Sequence, residues 1–146
     1  MEYKKIGQTY YARLDRGDEL ITSVRSLCKA EGIRSATFSG IGGCSHAELL
    51  TFAPELGAFE VEELNGTLEL VSLTGNVITD ADGELYHHVH AVMAYKDERG
   101  HRVSAGHVQA IVVRYSVSVE IRPVIGGVIM RHYDEETGTN FWSFPD

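Results

Sequence analysis

Cysteine and long apolar runs are scarce in this chain. Only Cys28 and Cys44 are cysteines, and their spacing fits neither a CxxC motif nor a framework of paired disulfides. We therefore expect two small buried hydrophobic side chains. No apolar run approaches the roughly 20 residues of a membrane-spanning helix, and the opening stretch 1–10 lacks the apolar core of a secretory signal. We expect a cytoplasmic protein that does not enter a membrane.

Basic residues are also few. Lys and Arg number 13 against 21 Asp and Glu, which gives a formal net charge of −8. Proteins that bind nucleic acid usually present a basic face, because Lys and Arg neutralise the phosphates. Here the basic residues are scattered, in groups no larger than Lys4-Lys5 and the interrupted stretch 99–102. The charge therefore disfavours direct DNA binding, unless folding or oligomer symmetry assembles a basic patch.

The sequence contains no linker, low-complexity tract or internal repeat. Hydrophobic residues make up 43% of it and are spread along the whole length, which argues against disorder. A chain of this length falls in the common range for one domain. We expect residues 1–146 to form a single domain.

The apolar pattern predicts one helix and many strands. Asp18 can cap a helix whose apolar residues recur at helical spacing over 20–28, and Gly32 would end it. Period-two alternation predicts strands at 10–14, 35–40, 47–52, 59–64, 67–77, 86–95, 107–114 and 116–121. The pattern therefore predicts a domain of mostly antiparallel sheet with one amphipathic helix.

Three short segments predict turns or close contacts. Asn65-Gly66 lies between alternating segments and matches a two-residue type I′ hairpin, in which both central residues need positive φ. Asp97 to Gly100 is a second candidate turn. The glycine-rich stretch 39–43 lacks the Lys-Ser/Thr end of a phosphate loop, so it favours a tight turn or a close backbone approach over nucleotide binding.

Histidine supplies the concentrated site chemistry of this sequence. His88 and His90 share one face of their strand, because successive side chains alternate. If Asp97 to Gly100 forms a hairpin loop, counting back along both strands places His90 opposite His107, with Cβ atoms about 4.5 to 5.5 Å apart. A bulge at 104–106 would shift that register by one residue. The other four histidines (46, 87, 101 and 132) have no such geometry and are assigned to the surface or to local hydrogen bonds.

Three neutral imidazoles suit Zn, Cu, Ni or Fe(II), and three protein ligands leave a fourth position open. A lone HxH pair on a strand is more often a surface or core feature, and the third histidine shifts the interpretation to a metal site. Hydrolysis would also need a general base. Glu69 and Glu120 are candidates, but both are explained equally well as solvent-facing strand residues. We therefore predict a divalent-metal site with no demonstrable catalytic machinery, and keep a metal-dependent enzyme as an alternative.

The order and spacing of several segments resemble the plant and prokaryote conserved (PPC) domain, over roughly residues 8 to 143. The segments are 13–14, 17–20 (GDEL), 38–42 (FSGIG), 66–76 (GTLELVSLTGN), 88–92 (HVHAV), 106–108 (GHV) and Glu120. The resemblance implies an α+β fold with an antiparallel sheet against one main helix. It also implies assembly into a homotrimer.

The resemblance carries two sites over to this sequence. Prokaryotic members with HxH and a following GH bind a metal, often taken as zinc, which implies His88, His90 and His107 as ligands. A short stretch that plant members use for partner interaction corresponds to Gly66, Thr67, Leu68, Glu69, Leu70 and Val71. The alternative for this stretch is an ordinary strand of a hairpin.

Stand-alone prokaryotic members of the family are often labelled DNA-binding. Plant members carry an Arg-Gly-Arg-Pro motif ahead of the domain, which this sequence lacks, and Ala105-Gly106-His107-Val108 stands where the family more usually has two glycines and a leucine. We expect a metal-binding, oligomeric interaction or regulatory protein. A DNA-binding protein of the same family is the alternative.

Overall fold

Long antiparallel strands form most of this protein, whose computed structural model describes residues 1–80 and 82–144. The elements in chain order are β1 (Glu2–Ile6), β2 (Thr9–Asp15), α1 (Leu20–Ala30), β3 (Ser35–Ala53), β4 (Ala58–Thr79), β5 (Leu85–Asp97), β6 (Gly100–Pro123), β7 (Met130–Asp134) and β8 (Thr139–Ser143). Strands β1, β7 and β8 were not expected from the sequence. No helix in the described ranges has the length and apolar character needed to cross a membrane.

Six strands form one sheet in the order β1-β2-β6-β3-β4-β5, and β5 also pairs with β6. This extra pairing closes β3, β4, β5 and β6 into a ring, because each strand of the four then pairs with two of the others. The inner face of the ring supplies buried side chains such as Phe38, Leu73 and Ile111. Strands β7 and β8 form a separate two-stranded hairpin.

The predicted α+β class is wrong. Strands account for 71% of the structure and helix for 8%, so the fold is β-rich rather than a sheet packed on a principal helix. Segments predicted as separate strands are continuous: 35–40 joins 47–52 in β3, 59–64 joins 67–77 in β4, and 107–114 joins 116–121 in β6. Strands of 19 to 24 residues can curve around a core by themselves, and the 11-residue helix adds only five buried side chains to it.

The helix lies where its apolar spacing predicts, but its N-cap is not the expected one. Glu19 is the N-cap, and its carboxylate accepts hydrogen bonds from Ile21 N at 3.1 Å and Thr22 N at 2.7 Å. The carboxylate of Asp18 instead accepts from Asp15 N at 2.8 Å. Gly32 follows the helix with a φ of 64°, which confirms the predicted stop.

The predicted Asn65-Gly66 hairpin is also wrong. Asn65 lies inside β4 and pairs with His46 on β3, and the register of the two strands shifts next to this pair. Gly66, the following residue, has a φ of 122°. The permissive backbone of Gly66 thus forms a bulge within a long strand rather than a turn. The β3–β4 turn lies instead at 54–57, where Gly57 has a φ of 59°.

Two expectations about buried positions are confirmed. A Cβ at Gly40 would lie 2.7 Å from the Ser118 carbonyl oxygen, so the glycine-rich stretch serves a close approach between β3 and β6. Cys28 and Cys44 are free and fully buried. Burial raises the pKa of the Cys28 thiol to about 11 and that of Cys44 to about 12, so both stay protonated at neutral pH.

Candidate metal centre

Strands β5 and β6 bring the histidines together. Their pairing starts at Asp97 opposite Gly100 and continues without a register shift to His90 opposite His107. The turn is held by a hydrogen bond from Arg99 N to the Asp97 carboxylate at 2.8 Å. The predicted register of His90 and His107 is therefore confirmed, and the bulge that would have displaced it does not occur in these described strands.

The three side chains form one tight cluster. One ligand atom from each of His88, His90 and His107 can be chosen such that all lie within 4.8 Å of one another. Nε2 of His88 is 3.1 Å from Nε2 of His90, and the ring centroids of His90 and His107 are 4.1 Å apart. Within residues 1–80 and 82–144, no other group of three His, Cys, Asp or Glu has this geometry.

The spacing of these nitrogens fits one metal ion. Ligands at 2.0 to 2.1 Å from a tetrahedral zinc lie about 3.3 Å from each other, close to the 3.1 Å between the Nε2 atoms of His88 and His90. Imidazole donors suit Zn, Cu, Ni or Fe. His88 and His90 are exposed and His107 is half-buried, so a fourth position would be reachable from solvent.

The surroundings of His88 and His107 favour the neutral form of both imidazole rings. Partial burial lowers the pKa of His88 below its ordinary value, and the neighbouring His90 lowers it further. Burial is also the main cause of the lowered pKa of His107, followed by His90 and His88. A neutral imidazole has a free lone pair, so a lowered pKa favours metal binding over protonation.

Residues that sequence reasoning missed shape the surroundings of the cluster. The ring of Phe59 lies edge-on at 5.2 Å from His107, and Phe52 lies 5.5 Å from Phe59. A Cβ at Gly106 would lie 2.6 Å from the Leu50 carbonyl oxygen, so this glycine lets β3 and β6 approach beside His107. The β3–β4 pairing brings Phe59 here from far along the chain, and no local pattern signals it.

The two carboxylates considered as general bases do not join the cluster. Glu69 lies opposite Ala94 on β5. Glu120 on β6 pairs with Ser39 on β3, Ser39 pairs with Thr74 on β4, and Thr74 pairs with His90 on β5. This path covers three strand spacings along the curved sheet, roughly 14 Å, and the Glu120 carboxylate forms an ion pair with Arg122. Neither carboxylate belongs to the group of ligand atoms that lie within 4.8 Å of one another.

The remaining histidines lie elsewhere. His46 forms hydrogen bonds with Asn65 at 2.8 Å and Glu48 at 3.2 Å. His87 alternates with His88 to the other face of β5, His101 lies opposite Lys96 near the turn, and His132 is on β7. These four thus stay outside the cluster, as expected.

The predicted interaction segment 66–71 is one alternating part of β4. Leu68 and Leu70 are buried core residues. Thr67, Glu69 and Val71 are exposed on the other face. Within segment 66–71, a partner protein could therefore contact only these three side chains and the backbone of Gly66.

The sequence of this chain matches a known protein family. The model of the Plants and Prokaryotes Conserved (PCC) domain, also written PPC, matches residues 1–125. The chain belongs to this family. No curated protein sequence matches the chain.

Solved structures of similar proteins agree with this PPC assignment. A PPC protein from Pyrococcus horikoshii is 31% identical, with a TM-score of 0.79 over 99% of this chain and 96% of that one. A metal-containing protein from Archaeoglobus fulgidus is 28% identical, with a TM-score of 0.80 over 98% and 99%. A protein from Bacteroides thetaiotaomicron, described as a candidate DNA-binding protein, is 26% identical, with a TM-score of 0.86 over 98% and 96%.

Proposed function

We propose that this PPC protein is a one-domain, oligomeric interaction or regulatory protein that holds one divalent metal ion through His88, His90 and His107. The observation that carries the proposal is the convergence of three imidazole ligand atoms within 4.8 Å. The metal-containing relative from Archaeoglobus fulgidus, which is 28% identical over nearly the full length of both chains, supports it.

Zinc is the proposed metal. Three neutral imidazoles with an open fourth position are a common zinc donor set. Cu, Ni and Fe(II) accept the same donors, so the metal analysis described below should measure all four elements.

Metal analysis of the purified protein tests the site. After metal-replete purification we expect one metal ion per chain in the wild type and little or none in the His88→Ala, His90→Ala double variant. The matched control is His101→Ala, which removes an exposed histidine on β6 six residues from His107. The site is refuted if the wild type carries no stoichiometric metal or the double variant retains it.

We further propose that three copies of the chain assemble, with an exposed apolar surface beside the metal site as part of the interface. Phe52, Phe59, Val61 and Val103 are each at least half exposed. The cross-strand pairs Phe52–Phe59, Leu50–Val61 and Leu50–His107 place the first three on the same face as His107. Contiguous exposed apolar side chains commonly mark protein interfaces, and a neighbouring copy would remove them from water.

Light scattering tests this assembly. A wild-type mass of three times the 16.1 kDa chain is expected at micromolar concentration. Val61→Asp should lower the mass, because it places a charge within the apolar surface. Thr51→Asp adds the same charge at an exposed position on the other side of the hairpin and should leave the mass unchanged. A monomeric wild type contradicts the proposal.

DNA binding is the second candidate, favoured by the candidate DNA-binding label of the Bacteroides relative. The net charge of −8 opposes it. If the protein binds duplex DNA through phosphates, the affinity must fall steeply as salt rises, since counterions are released. Fluorescence anisotropy with a labelled duplex over a salt series measures this. No binding at low salt removes DNA from the candidate partners.

A further inference from the structure

His46 on β3 lies where the strand pairing shifts register on both sides of β3. Between Cys44 and His46, the register changes against β4 and also against β6. On the β4 side, Gly66 and Thr67 together stand opposite Ser45 alone. A bulge interrupts the backbone hydrogen bonds of a strand pair locally. Side-chain contacts around His46 therefore take a larger part in holding the three strands together at this point.

Two carboxylates face each other beside the His46 ring. Glu48 on β3 lies directly opposite Glu63 on β4, and like charges in such a cross-strand pair repel each other. Nε2 of His46 lies 3.2 Å from the Glu48 carboxylate, and Nδ1 lies 3.9 Å from the Glu63 carboxylate. From β6, the uncharged side chain of Gln109 donates a hydrogen bond to Glu48. Among residues 1–80 and 82–144, no Lys or Arg forms an ion pair with either carboxylate, so a protonated His46 supplies the compensating charge.

Both ring nitrogens of His46 also face hydrogen-bond acceptors. Nδ1 lies 2.8 Å from Oδ1 of Asn65, and Nε2 faces Oε1 of Glu48. The amide nitrogen of Asn65 donates to Glu63 Oε1 at 3.0 Å, so turning the amide over would place its oxygen against that carboxylate. A neutral imidazole carries one N–H and can donate to one of the two acceptors, whereas an imidazolium donates to both. The geometry around His46 therefore fits the protonated ring.

The same contacts shift the proton equilibrium of the ring. The hydrogen bond with Asn65 is the largest cause that raises the pKa of His46 above its ordinary 6.5; partial burial opposes it, and Glu48 and Glu63 add to the rise. The pKa of Glu48 is lowered, mainly by His46. Because the folded pKa of His46 is raised, its contribution to stability is fully present below pH 6.5 and is lost as the pH rises through the folded pKa.

We propose that His46 is a proton-controlled latch on the outer part of the β3–β4 hairpin, residues 46–65. The protonated ring joins Glu48 to Asn65 and closes the latch. Loss of the proton leaves one ring nitrogen facing an oxygen lone pair, with two opposed carboxylates beside it, and opens the latch. The latched segment carries Phe59 and most of the exposed apolar surface beside the histidine cluster, so the latch controls how firmly that surface is held. The proposal depends neither on a bound metal nor on assembly.

Two measurements on the full chain test the latch. NMR with ¹⁵N-labelled histidine reports the protonation of each ring nitrogen of His46, and hydrogen exchange reports how firmly the amides of 59–65 are held. Both cover a series from about pH 5 to about pH 9, on either side of the ordinary histidine pKa, with exchange corrected for its intrinsic pH dependence. The test variant is Glu48→Gln, which removes one carboxylate and supplies an amide that can donate to a neutral ring. The matched control is Glu60→Gln, which makes the same change at an exposed position opposite Thr51.

In the wild type and in Glu60→Gln, both ring nitrogens should be mostly protonated at pH 6.5. The amides of 59–65 should lose protection as the pH rises through the pKa of His46, by about tenfold for each unit by which that pKa exceeds its ordinary value. Glu48→Gln should lower the pKa of His46 and remove most of this loss. A wild-type His46 with a pKa at or below 6.5 overturns the proposal, and so does an equal pH dependence of protection in the two variants.

Discussion

At the scale of single residues, two glycines allow the strands around the histidines to come close. A Cβ at Gly75 would lie 2.9 Å from the His88 carbonyl oxygen, and one at Gly106 would lie 2.6 Å from the Leu50 carbonyl oxygen. Real Cβ atoms do not approach backbone oxygens this closely, so any larger residue must push a strand aside. The histidine geometry therefore depends on residues that bind nothing themselves.

Gly106→Ala should weaken both the fold and the metal site. We expect a loss of about 1 to 3 kcal/mol of unfolding free energy, the usual cost of inserting a methyl into a packed site, and a lower metal affinity because His107 is the next residue. Urea unfolding and metal titration measure the two effects. Gly127→Ala is the control, since nothing lies within 4 Å of its Cβ. Equal stability in both variants would contradict the proposed close packing.

The pH dependence of metal binding follows from the lowered pKa values of His88 and His107, which lie below the ordinary 6.5. These folded rings stay neutral just below pH 6.5, whereas the unfolded chain takes up protons there. The metal-free fold should thus be stable above that pH and lose stability as the pH falls through the folded pKa values. Metal affinity should stay level down to a pH somewhat below 6.5 and decline as the pH falls further, through the lowered pKa values of these two rings.

A chelator competition series over pH, with thermal unfolding of the metal-free protein, measures both trends. His101→Ala should show the same profile as the wild type. An affinity that already falls steeply above pH 6.5 would mean that the rings are not held neutral by the fold.

At the scale of elements, the helix N-terminus depends on Glu19. Its carboxylate accepts hydrogen bonds from two backbone N–H groups of the first turn, at 3.1 and 2.7 Å. Glu19→Ala should cost about 0.5 to 2 kcal/mol of unfolding free energy, the range for loss of an N-cap. Urea unfolding checks this value. Glu60→Ala, an exposed strand residue, is the control, and an equal effect of the two would show that Glu19 does not act as a cap.

The paired elements also show which features local sequence could predict. Asp97 to Gly100 forms its turn from adjacent residues, so counting along β5 and β6 was enough to place His90 opposite His107. Asn65-Gly66 has an equally local signal, but pairing with β3 extends past it on both sides. A bulge and a turn need the same positive φ at Gly66, and only the partner strand decides between them.

At the scale of the whole molecule, closure of the ring could not be predicted from periodicity. Period-two alternation shows which face of a strand is buried, but it does not show that β6 pairs with β2, β3 and β5 along different parts of its length. The predicted alternation of buried and exposed residues along the strands is confirmed. The α+β class that the family resemblance implies is wrong because 71% of the structure is strand and only 8% is helix. Strands of 19 to 24 residues close on one another through long-range pairing, which local sequence does not reveal.

The shared strand β6 also sets the order in which this protein can fold while it is made. Tyr10 pairs with Ile121, so β2 leaves the ribosome more than one hundred residues before its sheet partner. At a synthesis rate of about 5 to 20 residues per second, that delay lasts on the order of 5 to 20 seconds. During that time the edge of β2 has no β6 to pair with, and a nascent chain in this state offers a strand to any chaperone or neighbouring chain that meets it.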